Sequence, residues 1–88
     1  MTTKAPATVA AFPPESLERT AYDSVADIPT QEPNDRNRLG YCVWMWLVDR
    51  KGTLDEAIRF SGCRTNVAHE ELVQRVKKHL KEKGIEIS

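Results

Sequence analysis

Few side chains in this 88-residue chain are equipped for chemistry. The soft metal ligands are Cys42, Cys63, His69 and His79, at successive separations of 21, 6 and 10 positions. Metal sites legible in sequence carry close pairs, Cys-x-x-Cys or two histidines one helical turn apart, because one ion must be reached from one short segment. No such pair occurs, so no metal is expected, and each cysteine reads as a small buried hydrophobe. His69 precedes Glu70 and Glu71, but neighbouring helical residues point apart, so they do not form an acid–base pair. There is no glycine-rich phosphate loop, no nucleophile elbow and no His-Glu-x-x-His motif. The expectation is a protein that is not an enzyme, with no cofactor and no small-molecule substrate.

Charge and aromatic rings are what remain to carry function. Thirteen basic and thirteen acidic side chains cancel, but their placement is uneven. Residues 1–35 hold Lys4 and Arg19 against six carboxylates, a net −4, and residues 36–88 hold a net +4. All five prolines fall in the first part and both tryptophans in the second. An acidic, proline-punctuated N-terminal arm, 1–35, is thus expected before a compact basic helical domain, 36–88. Two cysteines are no disulfide framework, which points to a reducing, cytoplasmic setting. The longest apolar run, Tyr41–Val48, has eight residues, short of the roughly 20 that span a bilayer. The start lacks the Leu-rich stretch of a secretory signal.

These side chains must be positioned by a small set of elements. Residues 1–12 show no period and read as a flexible tail. Leu17, Ala21, Val25 and Ile28 share one face of a helix over 14–28, with Pro14 in its first turn, Glu15 and Glu18 near its positive end and Pro29 beyond it. Thr30–Asp35 reads as a linker. The next element starts near Asn34 or Asp35, which suit an N-cap, and runs to Asp49 or Arg50. Its centre is apolar on every side. Aromatic and β-branched content suits a strand, while the polar lead-in and a length of about fifteen residues favour a helix. Thr53-Leu54-Asp55-Glu56 fits a capping box for a short helix that buries Leu54, Ala57, Ile58 and Phe60 and ends at Gly62. A third helix is expected to restart near Thr65 or Asn66. It would bury Ala68, Leu72, Val76 and Leu80 and carry Lys77, Lys78, Lys81 and Lys83 toward its negative end. Ile85-Glu86-Ile87 alternates like a short C-terminal strand.

That order resembles the helix-turn-helix and winged-helix regulators of bacteria and their phages, over about residues 39–87. The resemblance rests on Gly52-Thr53-Leu54-Asp55-Glu56-Ala57-Ile58 as the opening helix and Ser61-Gly62-Cys63-Arg64-Thr65-Asn66-Val67 as the turn. It implies a mainly α fold, a helix-turn-helix-like domain with one wing strand, and double-stranded DNA as partner. In that family the second helix presents its first residues to base edges. Arg64, Thr65, Asn66 and His69 would then read bases, and Arg50, Lys51, Lys77 and Lys78 would meet phosphate. Glu70 and Glu71 would stand beside phosphate and repel it unless they point away.

A second expectation comes from the apolar residues. A domain of about fifty ordered residues has a marginal core, and an all-round apolar helix within it leaves a surface exposed. Tyr41, Trp44, Met45 and Trp46, with Leu17 and Val25 of the preceding helix, would form a homodimer interface or bind a protein client, or the Leu17–Ile28 helix would fold back over that surface as a lid. On this reading the chain is an adaptor or inhibitor rather than a DNA-binding regulator, and the acidic arm recognises the client. A hybrid reading keeps DNA binding and has the −4 arm cover the +4 face and restrain it.

Overall fold

A computed structural model describes residues 16–87, which form four helices. They are α1, Leu17–Ser24; α2, Pro33–Asp49; α3, Leu54–Ser61; and α4, His69–Glu82. The mainly α class is as expected. No strand occurs among the described residues. Ile85 and Ile87 instead lie half-buried against the helical core, because a three-residue extended segment with no partner strand cannot satisfy its backbone by pairing.

Ser16 caps α1, its Oγ accepting the Arg19 N–H at 3.0 Å. The helix is shorter than its apolar period. After Ser24 the chain turns through Val25–Ile28, the Ile28 N–H donating to the Val25 carbonyl at 3.1 Å. Ala21, Val25 and Ile28 are nonetheless fully buried, while Leu17 stays exposed. Pro14, Glu15 and the tail 1–12 lie outside the described residues. The described part of the acidic arm is therefore a layer of the core.

The presumed linker also contributes helix. Glu32 is the N-cap of α2, with Pro33 in the first turn, where its missing N–H removes no bond. The boundary drawn at residue 35 thus falls inside α2. This helix settles the ambiguity of 41–48 as helical. It is the centre of the domain, packed by α1 on one side and α3 on the other, with α4 closing against α1 and α3. Leu39, Val43, Trp46 and Leu47 enter the core with Leu54 and Ile58 of α3 and Leu72, Val73, Val76 and Leu80 of α4. Not every apolar side of α2 is covered. Tyr41 and Val48 remain exposed.

The capping box of α3 is as expected: Thr53 Oγ1 accepts the Glu56 N–H at 3.1 Å, and Glu56 Oε1 accepts the Thr53 N–H at 2.9 Å. Gly62 ends the helix with φ +65°, a left-handed conformation that a Cβ would strain. From Gly62 to Ala68 the chain is irregular, and α4 starts at His69, with Ala68 as an exposed N-cap and not a core residue. The helix expected to restart at Thr65 or Asn66 is thus delayed by about one turn. Thr65 shows why: its hydroxyl donates to the Pro29 carbonyl and accepts the Val67 N–H at 3.2 Å. A side chain tied to backbone on both sides holds the segment as a loop.

Candidate functional site: an apolar docking face

Residues expected to read DNA are distributed over three places. Arg64 lies in the loop before α4, where its Nε donates to Asp35 Oδ1 at 3.1 Å. Asp35 is completely buried in the first turn of α2. The same Oδ1 accepts a bond from Arg38, and Oδ2 accepts the Glu32 N–H at 3.1 Å. Burial pushes the Asp35 carboxyl up, but the Arg64 hydrogen bond, the Glu32 N–H and the two guanidinium charges outweigh it and hold the group below its ordinary value. In return Asp35, through that hydrogen bond and its charge, raises the Arg64 guanidinium above its ordinary value. Arg64 is thus anchored to a buried carboxylate that fastens the α3–α4 loop to α2.

The loop has a second fastening, the Gln31 N–H donating to the Arg64 carbonyl at 3.0 Å. Asn66 stays exposed beside it, on the rim of a cleft of about 380 Å³ with Pro29, Thr30, Gln31, Arg64 and Thr65. His69 opens α4, its Nε2 3.1 Å from Asp55 Oδ1. The adjoining His69 imidazole, with the Arg59 guanidinium, holds the Asp55 carboxyl below its ordinary value against a smaller effect of burial. Glu70 and Glu71 are exposed in the same turn, and the one basic partner there, Arg75, pairs with Glu71 at 2.8 Å. The tip of α4 therefore offers solvent mainly carboxylates.

The remaining basic residues lie elsewhere. Lys77 and Lys78 sit with Lys81 around a shallow hollow toward the C-terminal end of α4. Arg50 closes α2 in a left-handed conformation (φ 56°), its guanidinium 4.8 Å from the Trp46 ring centroid. Lys51 follows it, exposed, at the rim of an apolar cleft between α2 and α3.

That cleft, of about 350 Å³, is walled by Tyr41, Cys42, Met45 and Trp46 of α2 and by Ala57 and Phe60 of α3. A second hollow of about 540 Å³ continues it past Tyr41, Cys42 and Phe60 toward Tyr22 and Arg38. Together they form one trough along the outer seam of α2 and α3. Phe60 stands on its edge 87% exposed. Tyr41, half exposed, meets Trp44 edge-on with ring centroids 5.8 Å apart.

Of the residues expected at an interface, Tyr41 and Met45 line this trough. Trp44 is half-buried against the core. Trp46 forms the trough's floor: it is buried, its Nε1 donating to the Gly52 carbonyl at 3.2 Å. Val25 is corrected outright, since at 1% exposure it faces the interior and can touch no partner. Leu17 is exposed at the start of α1 but does not line the trough.

Phe60, expected in the core, is a further residue that sequence reasoning misplaced. Leu54, Ile58 and Ser61 are the buried stripe of α3. At about 100° per residue Phe60 lies on another side of the helix, so the helical angle carried the signal. Cys42, half-buried in the trough wall, has a thiol raised above its ordinary value by burial. Among the described residues no three histidine, cysteine or acidic side chains group as a metal site would require. None of the described helices is long and apolar enough to cross a membrane. No family model, curated protein or solved structure matches this chain.

Proposed function

We propose that this chain is a protein-binding module, an adaptor or inhibitor, and that its docking face is the α2–α3 trough. The observation that carries this reading is Phe60, almost wholly presented to water beside Tyr41 and Met45 on a surface already concave. Covering one such side chain contributes about 1.5–3 kcal/mol, whereas an exposed ion pair contributes about 0–1 kcal/mol. Aromatic side chains next to a hollow are the usual anchors of protein interfaces. The basic residues offered for DNA favour the rival less: Arg64 is held by Asp35 and the leading turn of α4 carries Glu70 and Glu71.

The test replaces Phe60 with a photoreactive benzophenone amino acid and, in a control, Lys78 with the same group. We expect protein adducts from position 60 that vanish when Tyr41→Lys is added, and none from position 78. Duplex binding measured by anisotropy at two salt concentrations supplies the opposing arm. Binding that falls steeply with salt, together with no protein adduct at position 60, would overturn the reading and return function to the basic residues.

A further inference from the structure

Resting on the docking face just described, we infer that its occupant is a second copy of this chain, docked across a two-fold axis with the two α2 helices antiparallel. A two-fold interface must be self-complementary, because the same patch serves both partners. This patch carries a projection and a hollow side by side: Phe60 stands out, and the cleft walled by Tyr41, Cys42, Met45 and Ala57 lies next to it. Each copy therefore offers the ring that the other copy's hollow can receive.

The charges fix the direction. At the N-terminal end of the trough the charged wall residue is Arg38, whose side chain remains about half exposed while it holds Asp35. At the C-terminal end Asp49 and Glu56 outnumber Lys51. Arg38, Tyr41, Met45 and Asp49 follow one another at helical spacing along one side of α2. The sequence midpoint of Arg38 and Asp49 and that of Tyr41 and Met45 both fall near Val43. One axis through that point thus sets Arg38 opposite the partner copy's acidic end and Tyr41 opposite its Met45. A parallel arrangement would instead set Arg38 against Arg38 and Asp49 against Asp49. Antiparallel docking also opposes the two helix dipoles favourably.

The experiment is sedimentation of the full chain over a wide concentration series. A dimer with concentration-dependent weight is expected. Phe60→Glu, at a position too exposed to endanger folding, should weaken it at least thirtyfold, as loss of an anchoring ring does. Asp49→Lys, which places a cation against the facing Arg38, should weaken it roughly tenfold, and Lys78→Glu on α4 should leave it unchanged. Circular dichroism of each variant confirms that the fold is retained. A wild-type chain that stays monomeric to millimolar concentration overturns self-association. So does a dimer indifferent to Phe60→Glu, and a dimer that tightens with Asp49→Lys overturns the antiparallel direction. A monomer that still forms foreign protein adducts from position 60 would leave the docking face standing and remove only the second copy as its occupant. A monomer with no adducts at all would sink both.

Discussion

Gly40→Ala is the substitution in which local and tertiary preference oppose each other most cleanly. Gly40 lies in the interior of α2, where alanine should be the better residue by about 1 kcal/mol. A Cβ built there, however, would lie 2.5 Å from Tyr22 Cδ1 and 2.8 Å from Cε1, across the contact of α1 on α2. Separations so short force the ring to move. Pushing extra carbon into a packed contact costs roughly 1–3 kcal/mol, and swinging a half-buried ring outward forfeits apolar burial of similar size. The tertiary effect wins. The expected net loss is about 1 kcal/mol, which in a domain of this size lowers Tm by about 4–8 °C.

Thermal and urea unfolding followed by circular dichroism would measure it. The sharper readout is a double-mutant cycle with Tyr22→Ala. Once the ring is gone, Gly40→Ala should reverse sign and stabilise by up to about 1 kcal/mol. Stabilisation by Gly40→Ala in the native background would refute the reasoning, since it would mean that α1 does not cross α2 at Gly40. Tyr22 also borders the trough, so the single substitution should disturb docking at the Arg38 end while leaving the Met45 end intact.

Three other outcomes follow from the same contacts. Asp35 is held below its ordinary value in the folded chain, so its stabilising contribution is present at neutral pH and is lost as pH falls below about 4 and through the lowered folded value. Asp35→Asn should be less stable than the native chain at neutral pH and flatter in that acid window, as an acid titration of urea midpoints would report. Thr53→Ala removes the hydroxyl that receives the Glu56 N–H and should cost about 1 kcal/mol, measured by urea unfolding. The thiols of Cys42 and Cys63 are both raised, chiefly by burial, so alkylation at neutral pH should be slow in the folded chain and accelerate on unfolding. Rapid labelling of either in the native state would contradict the packing described.

What the sequence determined by itself was local. Thr53 and Glu56 cap α3, Gly62 ends it, and the Leu72–Val76–Leu80 stripe of α4 enters the core, because capping and helical period depend only on residues a turn apart. Tertiary structure decided the rest, wherever a residue's partner lies far along the chain. The carboxylate that claims Arg64 stands 29 residues earlier, and the carbonyl that holds Thr65 stands 36 residues earlier. Neither bond is visible in a periodicity, yet the first anchors the intended base reader and the second postpones the helix meant to present it. Phe60 lies between these cases. Its angle on α3 was available from spacing, but that its side of the helix would stay uncovered was decided by how the other helices pack. The aromatic ring left outside became part of a surface because no other segment of the described chain packs over it.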